Sequence, residues 1–186
     1  MKQLVSLFMI AFGILLSGCI PSLTPATEKN ETFLPDAEGQ WERNQTRYRI
    51  ESCGEFYTVA AENKEGGKNF FKMALTTVGG ETYASLTFDG DAPGLKQLLN
   101  EDSRSFLLPL WRIYRLQVSE EELRLYWMAD ESLLRTCFRD LGSIQKAGSE
   151  DRILNTSPQQ LKAWLAGHPG AYAEKNGNFF SFRRIR

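Results

Sequence analysis

Phe70-Phe71-Lys72-Met73-Ala74-Leu75-Thr76-Thr77-Val78-Gly79-Gly80-Glu81-Thr82-Tyr83-Ala84-Ser85-Leu86-Thr87-Phe88 decides the fold of this chain. Two runs rich in aromatic and β-branched residues flank a pair of glycines. Two glycines in succession permit the positive φ angles of a tight two-residue turn, so the stretch predicts an antiparallel hairpin.

Working outward toward the N-terminus, the same period of two persists. Asn63 to Lys68, with Gly66-Gly67, reads as a turn, and Phe56 to Ala61 as the strand before it. Tyr48 and Ile50 alternate with Arg47, Arg49 and Glu51, as a half-buried strand requires. The domain opens at Gly39-Gln40-Trp41 and is expected to occupy residues 41–186. Before it, residues 19–40 carry Pro21, Pro25 and Pro35 and little periodicity, which predicts an extended tether.

Toward the C-terminus, residues 89–105 interrupt the sheet. Asp89 to Gly94 reads as a loop, and Leu95, Leu98 and Leu99 fit one or two helical turns. Leu108 to Val118 is the longest strand candidate, followed across Ser119-Glu120-Glu121 by Glu122 to Met128. There Leu123, Leu125 and Trp127 face one way and Glu122, Arg124 and Tyr126 the other, the pattern of an antiparallel sheet with one wet face. Asp130 caps a turn or two through Leu133-Leu134. Ser157-Pro158-Gln159-Gln160 is a stronger start signal, combining a capping box with proline at the first helical position. Leu161, Trp164 and Leu165 then share a face, and Gly167 offers a stop. A last hairpin is expected over Asn176-Gly177, leading into Phe179 to Ile185.

Seven or eight mostly antiparallel strands with one or two short helices place the chain in the mainly β class. A closed, lipocalin-like barrel with a helix outside is the first expectation, and a helix on an open, strongly bent sheet is the second. If the sheet closes, Trp111, Tyr114, Trp127, Phe180 and Phe182 are candidates to line an interior that holds a small apolar ligand. The same aromatics would equally serve as packed core.

The first residues point to a place of work. Lys2 precedes an apolar run from Leu4 to Leu16, too short for the ~20 residues of a membrane span. Leu16-Ser17-Gly18-Cys19 follows, so residues 1–18 read as a lipoprotein signal peptide. Cys19 is then the acylated N-terminus, and several chains of the palmitate class, at ~0.8 kcal/mol per buried CH₂, would hold it in a membrane. The expected location is the bacterial cell envelope, lipid-anchored at the outer membrane and facing the periplasm.

Charge and chemistry exclude more than they assign. With 22 basic and 23 acidic residues, the chain has no electrostatic case for nucleic acid. Apolar content of 42% and aromatic content of 12% favour a folded domain over disorder. Export to an oxidising compartment allows a disulfide between Cys53 and Cys137, worth up to about 4 kcal/mol for so long a loop. Two separate thiols are the alternative. His168 is the only histidine and sits at a helix end, so neither a zinc site of the usual kinds nor a serine triad assembles around it. Asp89 and Asp91 lack the further ligands of a calcium loop, and Glu120 to Glu122 read as a solvated hairpin tip. No catalytic residue, cofactor or metal is expected.

The run Leu15-Leu16-Ser17-Gly18-Cys19-Ile20-Pro21-Ser22-Leu23-x-Pro25, with Gly39-x-Trp41 downstream, resembles a widespread family of uncharacterised bacterial lipoproteins. The strand pair Leu108 to Met128 and the segment Thr156-Ser157-x-x-x-Leu161-x-x-Trp164-Leu165 are similar in order to later parts of that family. Members commonly carry a histidine-containing segment where this chain has Pro109-Leu110-Trp111. The resemblance implies an envelope location and a β fold, and no activity. Two roles follow as expectations: a membrane-anchored module binding a small apolar ligand, or a structural lipoprotein docking on another envelope protein.

Overall fold

The computed structural model describes residues 20–89, 110–145 and 152–186. The chain order is β1 (Ile20–Ser22), a 3₁₀ turn (Pro35–Ala37), β2 (Gly39–Arg43), β3 (Thr46–Ser52), β4 (Tyr57–Glu62), β5 (Lys68–Val78), β6 (Glu81–Phe88), β7 (Trp111–Val118), β8 (Glu122–Tyr126), α1 (Glu131–Leu141), β9 (Ser143–Gln145), β10 (Arg152–Leu154), α2 (Pro158–Gly167) and β11 (Phe179–Arg184). The leader with Cys19, the expected helical turns at Leu95 to Leu99 and the start of the long strand at Leu108 lie outside the described residues.

The hairpin over Gly79-Gly80 forms as expected. Both glycines have positive φ, 59° and 82°, and Val78 pairs with Glu81. From this hairpin the sheet grows by pairing sequence neighbours, β2 through β8 in order, all antiparallel. Pairings between β6 and β7 and between β11 and both β8 and β2 leave no free edge, so eight strands close a barrel. The closed alternative is therefore correct, and the open bent sheet is not. One rim carries the β2–β3 and β4–β5 turns, the end of β6 and the start of β7; we call it upper. The lower rim carries the β3–β4, β5–β6 and β7–β8 turns.

Alternation along the strands builds two cores rather than one. Trp41, Ile50, Tyr57, Val59, Phe71, Met73, Leu75, Tyr114, Leu116, Leu123, Leu125, Phe180 and Phe182 pack inside the barrel. Residues of the opposite parity, Val78, Tyr83, Ile113 and Tyr126, join a second cluster outside it. That cluster is covered by Phe138 of α1, Leu161, Trp164 and Leu165 of α2, and Leu154, Ala171 and Tyr172. The face of β8 expected to be wet is thus dry at Tyr126, which is only 1% exposed. Arg115 lies over the Tyr126 ring at 4.3 Å and pairs with Glu81 at 2.8 Å. The Tyr126 hydroxyl donates to Gln117 at 2.9 Å, so this buried phenol is satisfied at its tip.

Both helix starts follow their sequence signals. Ser157 accepts from the Gln160 N–H, while the Gln160 side chain receives the Ser157 N–H. Asp130 accepts from the N–H groups of Ser132 and Leu133, but α1 continues for 11 residues, well beyond the expected turn or two. Burial of Cys137 and Phe138 against the barrel wall extends it, since packing outweighs local propensity in short helices.

Two further expectations about the elements fail. Asn176 and Gly177 do adopt positive φ, yet no strand precedes them, so there is no last hairpin. β11 pairs instead with β8 and β2 across long sequence separations. The second failure is the tether. Ile20 to Ser22 pair with β7 and Ser22 with Leu154 of β10, and the following segment runs down the barrel as a strap. Its backbone bonds to Leu154, Leu75 and Glu55, and Ala26 and Ala37 have no exposed surface. Proline removed donors from this segment without making it a leash; partner groups on the barrel wall supply the order that local periodicity lacks.

Candidate functional site

The place where a barrel of this size would act on a ligand is its interior. Trp41, Ile50, Val59, Phe71, Met73, Leu123, Leu125 and Phe182, with Tyr48 and Leu86, enclose a cavity of about 30 Å³. Such a space is about the size of one water molecule, whereas small-molecule sites occupy ~300 Å³ or more. The lower rim is closed from outside. Leu34 packs against the inner cluster, its N–H donates to the Tyr57 hydroxyl at 2.9 Å, and Phe33 stacks on the Tyr57 ring. Trp41 Nε1 donates to the Ala37 carbonyl, and Arg184 lies 4.2 Å over the Trp41 ring while donating to the carbonyls of Asp36 and Glu38.

Toward the upper rim the filling is aromatic. Trp127 meets Phe180 at 4.8 Å, Tyr114 meets Phe180 at 6.1 Å, and Tyr48 stands edge-on to Phe182 at 5.0 Å. Pairing of β2 with β11 stops at Trp41 and Glu42, and beyond it the Arg43 guanidinium lies 4.6 Å over the Phe180 ring. A guanidinium is weakly hydrated and stacks well on aromatic faces, which suits it to a half-buried rim. Burial raises the Tyr48 hydroxyl above the ordinary phenol range, with Arg43 acting in the opposite sense. Of the five proposed lining aromatics, Tyr114, Trp127, Phe180 and Phe182 are therefore brought together inside. Trp111 is not: it packs against the outer cluster. Arg43 and Tyr48 are not among the five expected lining residues, although both follow from alternation, Arg43 sharing the parity of Trp41 and Tyr48 that of Ile50.

The remaining polar candidates are dispersed. Cys53 and Cys137 stay apart as free thiols, Cys53 exposed in the β3–β4 turn and Cys137 buried in α1. The bridge is ruled out by placement, because Cys137 faces the outer cluster and has no exposed surface. Burial, with Asp140 nearby, pushes the Cys137 thiol up to about 12. His168 ends α2, stacked on Trp164 at 4.0 Å with Nδ1 2.8 Å from the Trp164 carbonyl. Among the described residues no group of three or more His, Cys, Asp or Glu side chains is placed to hold a metal ion. Among them, too, no helix is long and apolar enough to cross a membrane.

The strap carries its own polar junction. Glu31 accepts from Lys162 Nζ of α2 at 2.7 Å and from Thr76 Oγ1 of β5 at 2.5 Å, which lowers its carboxyl below the ordinary 4.5. Ser85, with no exposed surface on the outer barrel wall, receives the Ala26 N–H at 2.9 Å. These contacts tie the strap to β5, β6 and α2. No protein-family model matches the chain, and comparison with curated proteins and with solved structures gives no match either.

Proposed function

We propose that this chain is an acylated protein of the bacterial envelope that works through its outer surface, as a structural or interaction partner of another envelope component. The observation that carries the reading is the self-filled barrel, whose interior space is about 30 Å³. A carrier of a small apolar ligand would need that space opened roughly tenfold. The leader Leu16-Ser17-Gly18-Cys19 supports the anchored part, with the barrel at the outer membrane facing the periplasm. Two cores, one inside the barrel and one between the barrel and the helices, suit a rigid body presenting a fixed surface.

The test is photo-crosslinking in intact cells from probes spread over the outer wall, with mass analysis of the purified chain. The expected result is one reproducible crosslinked protein and a mass matching cleavage before Cys19 plus acyl chains. An acylated chain that crosslinks to no specific protein and instead carries a co-purified small molecule would overturn the interaction reading.

A further inference from the structure

Among the described residues, four arginines of the barrel wall bury their Nε without a hydrogen bond: Arg112, Arg115, Arg124 and Arg184. Three of them are satisfied through their other guanidinium nitrogens. Arg115 pairs with Glu81 at 2.8 Å, Arg124 pairs with Glu122 at 2.7 Å, and Arg184 donates to the carbonyls of Asp36 and Glu38. Arg112 is different. It is only partly exposed, yet among the described residues it has neither a hydrogen bond nor an ion pair. A half-buried cation without a partner is costly, so its retention calls for a reason.

Register fixes where Arg112 points. It shares the parity of Tyr114 and Leu116, both in the inner core, and stands opposite Leu86, which packs against that core. Arg112 is therefore an inward-facing residue of β7, one layer nearer the upper rim than Tyr114. Phe180 links it to Arg43. Tyr114 meets the Phe180 ring at 6.1 Å from the β7 side, while Arg43 lies 4.6 Å over the same ring from the β2 side. β8 and β11 stand between β7 and β2 in the wall, so the two guanidiniums enter the upper interior from different sides. Arg43 touches Phe180 and Phe182 and, like Arg112, has no carboxylate partner among the described residues. None is at hand from the strands: Glu42, Glu51, Glu62, Glu81 and Glu122, the acidic residues within them, all have outward parity.

We infer that the upper mouth of the barrel is an anion site, where Arg43 and Arg112 together hold the phosphate group of a ligand above the filled core. Two like charges in an aromatic-walled recess raise the local potential and concentrate anions there. Guanidinium forks match oxyanions bidentately, and a tetrahedral phosphate offers oxygens to two forks at once, whereas one fork suffices for a carboxylate. The site requires no opening of the core and no acylation of Cys19, so it goes beyond the surface role proposed above and stands or falls separately from it.

The test is calorimetric titration of the full chain, in non-ionic detergent and phosphate-free buffer, with inorganic phosphate. The expected result is saturable binding at one site, weakened about tenfold or more by Arg112→Gln and by Arg43→Gln, with part of the loss restored by Arg112→Lys. Arg47→Gln, on the exposed outer face of β3, should leave the affinity unchanged. Thermal unfolding shows which variants are folded, and if Arg112→Gln is not, Arg43→Gln and Arg112→Lys decide. A parallel titration with glycerol 3-phosphate separates the sources: tighter binding than the free ion assigns the site to a lipid headgroup, equal or weaker binding to free phosphate. No saturable binding to the native chain overturns the inference. So does an affinity that folded Arg112→Gln leaves intact, or that Arg47→Gln lowers equally.

Discussion

Thiol chemistry separates the two cysteines most sharply at the scale of single residues. Cys53 is exposed, whereas Cys137 is buried with its thiol raised to about 12. Because the thiolate is the reactive form, a Cys19→Ser chain at pH 8 should show one fast-reacting thiol when folded and two in denaturant. Two slow thiols, or none in denaturant without reductant, would contradict the separation. Glu31 gives a second residue-scale expectation. Its carboxyl is lowered by Lys162 first and Thr76 second, so its contribution is present above the unfolded value near 4.5 and is lost as pH falls through the lower folded value. The pair with Lys162 is partly solvated, at 43% and 28% exposure, and screening keeps that contribution below about 1 kcal/mol. Glu31→Gln should therefore flatten the denaturant midpoint between pH 5 and 3 by about that amount, and an unchanged profile would remove the junction from the account. Neither Glu31 nor Arg43 was legible as a contact, because each meets partners distant in sequence.

Among the elements, the hairpins and caps with local signals were readable and the long-range pairings were not. Gly79 and Gly80 have open space around the position of a Cβ, so the cost of Gly80→Ala is its positive φ alone, about 1–2 kcal/mol. Thermal or urea unfolding measures it; a neutral substitution would show that the turn is not of this type. Ser157→Ala should cost about 1 kcal/mol by removing the capping box of α2. By contrast, Asn176-Gly177 carried a hairpin signal with no strand to serve, since Ala171 and Tyr172 were drawn into the outer cluster. The strap was misread for a related reason. Its order comes from Leu75, Ser85, Tyr57 and Leu154, and no window of its own sequence contains them.

For the whole molecule, period-two alternation carried the barrel, because each strand pairs with its sequence neighbour and one parity of side chain fills the interior. The same alternation concealed the outer core. Tyr83, Ile113 and Tyr126 sit on the parity that a one-sided sheet would leave wet, and it is the strap, the helices, Leu154 and Tyr172 that make them dry. With part of the outer face of the β6–β7–β8 wall buried as well, the barrel has a core on either side of that wall, and its interior is occupied by its own aromatics. The central claim is that this interior is full. Phe182 lines the 30 Å³ cavity, and Phe182→Ala should cost about 3–5 kcal/mol and enlarge it. Titration of the folded proteins with a small hydrophobic dye then decides the matter: the account predicts no saturable binding to the native chain and binding only to the Phe182→Ala variant, whereas stoichiometric binding to the native chain would contradict it.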